Sequence, residues 1–499
     1  MGVPRISSIL DTSGRPFELP SEVRASQFDV INRWGDTDSW KFATNASGDT
    51  THIRHDRNRA TSAARMEYEN NPYAKGMVNR LANEVICTGP TLEITPRTSS
   101  ARSESAAKTL ERRWAEHADE TNFRQRLWMN VVEPVIGGEC FNIFRSNRGL
   151  KTVQVEFEQY EGIQFGTPWG SYWNWRQNTE YPYVDGMRLD ANGNISEFHK
   201  LKYHPGSQYQ SASMEYNQYD IISPDVCCHI FRKERPTQYR GISQLTPCVE
   251  LFAKLRRYTD AVLETAENAA SILGSIETSM GIDDCAPGPS STRRMMIGSA
   301  MFMNMPEGWK ANPFKAEQPT TTYNEFKNAI LHEIMQCLLL PWNQAAGDSS
   351  DYNFSSARMD HLIFDRMIAI IRQMLEKRLI NRFFDFWMEF AMYTPGIIPT
   401  GLGAFDYRWY WPKRVAVDPV KQADANKILK EAGLLDEADY WQSEGMNWKE
   451  AEEKKIKIRL WREKRENEMR EEMNMPPAPP APQVDKTRQS EPIDELTVN

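Results

Sequence analysis

Three stretches in the second half of the chain carry helical periodicity, and the two gaps between them do not. The first lies within RGISQLTPCVELFAKLRRYTDAVLETAENAASIL, which begins at Arg240. Leu251, Leu255, Tyr258, Val262 and Ala266 recur at three- and four-residue steps, leaving Lys254, Arg257 and Glu264 on other faces. Thr246 is expected as the N-cap with Pro247 in the first helical position, and the helix is expected to stop near Gly274. The second stretch begins at Thr322, which has capping-box spacing to Glu325. Phe326, Ile330, Ile334 and Leu338 line one face, and Pro341 closes it. The third, from Ala357 to about Phe390, would be roughly 50 Å long at ~1.5 Å per residue. The first gap, Ser275–Pro319, is rich in Met, Gly and Pro and includes a strand-like apolar run, Met295–Met305. The second, WNQAAGDSSDYNFSS (Trp342–Ser356), is polar and reads as a loop.

The first half has a different grammar. Residues 1–57 are polar and read as an extended arm. Helical pattern runs from Asn58 to Glu84 with a break at Pro72, and TGPTLEITP (Thr88–Pro96) alternates like a strand after a Gly-Pro turn. Helices are expected near Ser103–Asp119 and Phe123–Val135. Strands dominate residues 139–231, among them Val153–Tyr160, Ile195–His204 and Val226–Arg232. After a Pro/Gly break at Pro395–Gly403, AFDYRWYWP reads as another strand. Asp418–Pro419 opens a helical end, with a charged helix over Lys449–Met473 and a Pro-rich tail of disordered composition. The fold class is therefore α+β, with about three domains' worth of chain in 499 residues.

Composition removes several function classes. The net charge of −8 and a pI near 5.7 oppose a continuous basic face that wraps nucleic acid, because such binding neutralises phosphates. Seven cysteines (Cys87, Cys140, Cys227, Cys228, Cys248, Cys285 and Cys337) form no C-x-x-C pair. They read as buried free thiols of a reducing compartment. No signal-peptide core and no membrane-length apolar stretch is present.

Enzyme signatures begin and then fail. His332-Glu333-Ile334-Met335-Gln336 lacks the second histidine of H-E-x-x-H. Gly396 and Gly401 are spaced like a phosphate loop, but Leu402 stands where lysine is required. DANGN (Asp190–Asn194) starts like a calcium loop, yet Ile195 and Leu201 replace the turn glycine and closing glutamate, so a β-turn is expected. Cys227-Cys228-His229 lies in a strand-like run, where neighbours face opposite ways. No G-x-S-x-G occurs. No catalytic, cofactor or metal site is expected, and a motor would be a separate protein.

The order mixed domain, helix, insert, helix, polar loop, very long helix and helical end resembles the portal proteins of tailed bacteriophages, particularly the lambda-type family. The local matches are RPTQYRGISQLTPCVELFAKLRRYTDAVLETA (Arg235–Ala266), SDYNFSSAR (Ser350–Arg358) and, more weakly, NNPYAKGMVNRLANEVICTGPTLEITP (Asn70–Pro96). The resemblance runs over most of residues 60–420. It implies a non-enzymatic subunit of a ring of about twelve copies at one capsid vertex, through which double-stranded DNA is packaged and ejected. The domains it implies are an arm (1–57), a wing (58–243 and 357–417), a stem (244–274 and 320–340), a clip (275–319), a tunnel loop (341–356), a crown (418–475) and a tail (476–499). The stem helices proper would be 246–273 and 322–340. Tunnel-loop residues facing DNA would include Trp342, Asn343, Gln344, Asp348, Asp351, Tyr352 and Asn353, with Phe354 packing or contacting it. Clip contacts would include Arg293, Arg294, Met301, Phe302 and Trp309. Terminase, then head-completion or connector proteins, would dock at the clip, with major capsid protein at the wing, scaffold a further partner, and no membrane. Assembly would occur in the host cytoplasm and the product would sit in the virion, with residues 1–57 a stretch that maturation could remove. Arg366, Arg372, Lys377, Arg378 and Arg382 make the long helix basic; paired charges on a wing surface are expected for them rather than DNA contact. Alternatives are another phage ring or adaptor protein, or a phage-associated hydrolase with an unrecognised site.

Overall fold

The computed structural model describes residues 51–98, 100–167, 183–206, 218–271, 274–278, 309–313, 322–350, 354–413, 419–437, 440–441 and 448–472. It opens with two helices, α1 (Thr51–Asn70) and α2 (Pro72–Ile86). Asn71 separates them: its side chain accepts from Tyr73 N at 3.0 Å and Ala74 N at 3.5 Å, and Pro72 supplies the fixed first-turn φ. α2 buries Ala74, Met77, Val78, Leu81, Ala82, Val85 and Ile86. The helix start at Thr51 corrects the expected arm boundary, since residues 51–57 are helical. Arg57 holds that turn down through buried ion pairs, which polarity alone did not reveal.

β1 (Thr91–Pro96) follows, then α3 (Ala101–Glu120) and α4 (Phe123–Ile136). Ser100 and Ser103 cap α3 reciprocally. β2 (Glu139–Ser146) is the centre of a three-stranded antiparallel sheet, between β3 (Val155–Glu161) and β8 (Cys227–Phe231). A second antiparallel sheet runs β4 (Tyr183–Val184), β5 (Met187–Leu189), β6 (Ile195–Leu201) and β7 (Tyr219–Ile222). Asp190–Asn194 is the turn between β5 and β6: Asp190 Oδ1 accepts from Asn192 N at 2.8 Å and Asn194 N at 2.7 Å. The calcium-like start is thus a side-chain-closed turn.

The second half begins with α5 (Val249–Ser271), then the hairpin strands β9 (Gly274–Thr278) and β10 (Trp309–Pro313), then α6 (Thr322–Met335). Thr246 is not the N-cap of α5. Residues 244–248 form turns, and Thr246 Oγ1 donates to Ser243 O at 2.7 Å. Ser243 competes for the chain here, accepting from Leu245 N at 3.2 Å and donating to Val135 O at 2.8 Å. α5 ends at Ser271, close to the expected stop near Gly274, and Gly274 opens β9. α6 stops five residues short of Leu340, because Gln336–Leu339 turn and Leu339 takes a left-handed φ of 51°.

The polar gap that reads as a loop contains a short helix, α7 (Trp342–Ala346). Pro341 starts it, its carbonyl accepting from Gln344 N at 3.0 Å and Ala345 N at 2.9 Å. Gly347 ends it at φ 72°, where an added Cβ would lie 2.9 Å from Arg80 Nη2. The very long helix is α8 (Phe354–Leu375), a π-helical turn at Glu376–Ile380 and α9 (Asn381–Tyr393) without interruption. β11 (Phe405–Tyr410) then returns to pair antiparallel with β1, with Leu92 opposite Trp409 and Ile94 opposite Tyr407. α10 (Pro419–Glu431) and the charged α11 (Trp448–Glu472) complete the described chain.

One aromatic cluster joins the two halves. The Trp114 ring meets Phe123, Phe384, Trp387 and Trp409 edge-on at 5.2–5.5 Å, so α3, α4, α9 and β11 share one core. Trp387 and Phe384 are fully buried. The far end of the long helix is therefore part of the first-half domain, while its near end follows α7.

Candidate functional site

The segment after α6 is anchored at one end and open at the other. Trp342 is 6% exposed and stacks on His332 at 4.0 Å, with planes 12° apart. His332 thus serves as a packing ring on α6, not a zinc ligand. Asn343 Nδ2 lies 3.2 Å from His361 Nε2 on α8. Gln344 Nε2 donates to Glu84 Oε1 at 3.1 Å, and the Gln344 carbonyl accepts from Arg80. Trp342, Asn343 and Gln344 therefore hold α7 against α2, α6 and α8. Residues 348–350, just beyond Gly347, are exposed. Asp348 Oδ1 accepts from Ser350 N at 2.9 Å and Ser350 Oγ at 2.7 Å, and these bonds hold its carboxyl below the usual range. Asp348 is thus a stable negative charge at an exposed tip. Asp351, Tyr352 and Asn353 lie outside the described residues, as do Arg293, Arg294, Met301 and Phe302. Trp309 begins β10, opposite Thr278 of β9.

Composition hid a buried ionic hub where the α+β domain feeds α5. Glu139 is completely buried. Its oxygens accept from Arg240 Nε at 3.0 Å, Arg240 Nη2 at 2.6 Å and Gly241 N at 2.9 Å, and one lies 2.8 Å from His229 Nε2. Arg57 donates to the same carboxylate, and its other nitrogen sits 2.5 Å from Asp185 Oδ2. Burial pushes the Glu139 carboxyl up, but Arg240 and Arg57 outweigh it and hold the group well below its ordinary value. Glycine makes the crossing possible: a Cβ on Gly241 would lie 2.0 Å from Gly138 O, and one on Gly138 2.7 Å from the Ile242 carbonyl carbon. The sequence signal was faint, namely charged residues beside glycines in Gly137-Gly138-Glu139 and Arg240-Gly241.

A second arginine on α1 repeats the device nearer the surface. Arg65 bridges Glu133 and Glu161, each at 2.5 Å. Burial pushes Glu133 up to about 7 despite Arg65. The folded protein therefore favours protonated Glu133, and wild-type stability falls as pH rises from the unfolded value near 4.5 to about 7. Glu133→Gln keeps the neutral shape. Its stability relative to wild type should improve by roughly 1–3 kcal/mol across that window and stay flat above it, as urea midpoints at several pH values would show.

Three basic residues of the long helix, Arg372, Arg378 and Arg382, bind backbone carbonyls. Arg372 donates to Val85 O at 2.7 Å, Pro412 O at 3.0 Å and Glu84 O at 3.2 Å. Arg382 donates to Pro224 O at 2.6 Å, Cys227 O at 3.1 Å and Asp225 O at 3.1 Å, and Arg378 reaches Phe231 O at 3.5 Å. These guanidinium groups bind carbonyls at the ends of α2 and β8, tying the helix to the domain. Cys227 and Cys228 are buried, their thiols raised chiefly by burial, Cys228 to about 12. Among the described residues no group of three or more His, Cys, Asp or Glu could hold a metal, and no helix is long and apolar enough to cross a membrane.

A family model for phage portal proteins of the lambda family matches residues 34–372. The chain belongs to that family. The match spans α1 through most of α8, and so takes in the hub, α5, the hairpin, α6 and the anchored segment. The α+β portal fold read from the sequence is the fold of this portal-family chain. Among solved structures, the neck of an empty gene transfer agent particle is 13% identical, covering 78% of this chain and 93% of that one at a TM-score of 0.45. The neck of the native gene transfer agent particle, computed with C12 symmetry, is also 13% identical at a TM-score of 0.43, with the same coverage. An HK97-family phage portal protein from Corynebacterium diphtheriae is 12% identical, covering 77% of this chain and 99% of that one at a TM-score of 0.28.

Proposed function

We propose that this portal-family chain assembles head to tail with about eleven further copies into a closed ring at one capsid vertex, through which double-stranded DNA enters and leaves. The observation that carries this reading is the family match over residues 34–372. A heterologous interface closes into a ring when its rotation returns to the start. In this reading α5 and α6 are the stem, residues 275–319 around β9 and β10 the clip, residues 341–356 the tunnel loop, the α+β domain and long helix the wing, and residues 418–475 the crown. The clip would receive the packaging terminase and later a head-completion or connector protein, and the wing the major capsid protein. The subunit itself does no chemistry and needs no cofactor. Asp348, Asp351 and their polar neighbours would give DNA a surface that repels rather than grips the phosphates, spaced one charge per ~1.7 Å of duplex.

End-on electron-microscopy averages of the purified protein test the reading. Rings of about a dozen subunits with a central hole support it. Protein that stays ring-free even with scaffold and capsid protein present overturns it. Within assembled rings, Asp348→Lys should slow DNA packaging several-fold, because each lysine adds a phosphate contact that must break at every step, and the slowing should shrink as salt rises. A packaging rate unchanged at low salt would remove Asp348 from the channel wall.

A further inference from the structure

α11 carries large apolar side chains into water on two opposite sides. From Glu453 to Glu466 every residue is exposed, Trp461 at 65%, Leu460 at 56% and Ile456 at 55%. The root of the helix is held by α3, where Lys108 Nζ lies 3.0 Å from Glu453 Oε1. Pairs one turn apart, Lys457–Glu453 at 3.8 Å and Arg459–Glu463 at 3.5 Å, help it persist beyond that root. They account for its charge and not for its exposed isoleucine, leucine and tryptophan side chains, since a solvated helix is polar all round. At ~100° per residue, Ile456 and Leu460 share one side, flanked by the acids Glu452 and Glu463. Ile458, Trp461 and Met469 share a second side, flanked by Arg462 and Arg465. Lys464 and Glu468, 4.0 Å apart, lie between the two. The first side is apolar and acidic, the second apolar and basic, and their centres are roughly 150–170° apart around the helix.

We infer that α11 packs between two further copies of itself, the acidic apolar side of one chain receiving the basic apolar side of the next. The partner is a second copy of this chain, and the placement rests on the portal-ring reading. Two unlike sides are what a head-to-tail contact needs, whereas an isologous pair needs one side matched to itself. Their angle fits as well, because a ring of about twelve copies sets each subunit's two neighbours about 150° apart. Rotation about the ring axis leaves every α11 parallel to the next and at the same height. With a rise of ~1.5 Å per residue, Ile458 then comes within ~3 Å of the height of the next copy's Ile456, and Trp461 within ~1.5 Å of that of its Leu460. Across the same seam Arg462 and Arg465 come to the side that carries Glu463, so opposite charges meet where like charges would repel. Closing the seam takes these apolar side chains out of water.

Disulfide cross-linking of full-length rings tests the seam. Two double variants, Leu460→Cys with Trp461→Cys and Ile456→Cys with Ile458→Cys, would be checked for rings by electron microscopy and then oxidised. Positions one or two apart on a helix do not face each other, so the introduced thiols cannot join within one chain. The expected result is a ladder of covalent oligomers up to ring size on a non-reducing gel, collapsed by dithiothreitol. Each single variant should give the wild-type pattern, because like sides do not meet. Rings that give no ladder, or single variants that link equally well, overturn the seam and leave the portal-ring reading standing. Leu460→Asp with Trp461→Asp decides the case in which a cysteine variant does not assemble. It should cut ring yield several-fold while the subunit Tm stays within about 2 °C of wild type, since both sites are exposed. An unchanged ring yield also overturns the seam. Wild-type protein that forms no rings removes both readings together.

Discussion

Glu139→Gln should destabilise the fold by about 3–5 kcal/mol, the largest single-residue effect expected in this chain. Glutamine fills the same volume, so packing is unchanged. What is lost is the negative charge that Arg57 and Arg240, both nearly fully buried, share. Each guanidinium was taken out of water to meet that carboxylate, and removing one partner of a buried set leaves the others uncompensated. Asp185 offers partial relief, at 2.5 Å from Arg57 and 3.4 Å from Arg240. Urea unfolding of the variant should show the drop. In Glu139→Gln with Arg240→Met the total cost should fall well below the sum of the singles, since one orphaned charge is gone. The pH dependence follows from the depressed Glu139 pKa. Its contribution is present above the unfolded value near 4.5 and is lost as pH falls through the lower folded value, so wild type and variant should converge in acid. A cost below about 1 kcal/mol would mean that the carboxylate is structurally neutral.

Ile363→Asp combined with Ile370→Asp should abolish ring formation while leaving the subunit folded. On α8, Ile363 is 58% exposed, Ile370 68% and Met359 61%. Their spacing of four and seven residues puts them on one face of the helix. Phe364 and Ile368, on the other side, are buried in the subunit core. Burying a side chain of this size is worth about 1.5–3 kcal/mol, and a ring repeats the contact at every interface. An aspartate there would have to be desolvated at each one. The expected result by native mass spectrometry is a more than tenfold loss of rings, with subunit stability within about 0.5 kcal/mol of wild type because the sites face solvent. Rings that form as before would remove this face from the interface.

How much was legible in advance depends on how local each feature is. The order of helices and strands was readable, because periods of 3.6 and 2 and the punctuation at Pro72, Pro341 and the 395–403 break are written in neighbouring residues. The strands at 155–161, 195–201, 227–231 and 405–410 all fall inside or within a residue of the expected runs. Family membership was readable for the same reason, since Arg235–Ala266 and Ser350–Arg358 are contiguous motifs that lie wholly in the matched region. Cap assignments failed where a distant group competed: Thr246 lost the start of α5 to Ser243, whose hydroxyl is spent on Val135 O. The polar gap after Pro341 gave no periodic signal for α7, because Trp342 is buried against His332 rather than repeated along a face.

The candidate site was half legible. Its polar tip at Asp348 follows from composition, and its anchoring through Arg80, Glu84 and His361 does not. The sequence by itself determined the order of most helices and strands, and the family. Only the tertiary structure decided that β1 pairs with β11, that Arg372, Arg378 and Arg382 of the long helix bind carbonyls, and that Glu139 meets partners 82 and 101 residues away. The reason is physical. Backbone preference and amphipathic period are set by residues within a turn or two, whereas a buried charge is tolerable only once the whole domain has brought its counter-charges to it.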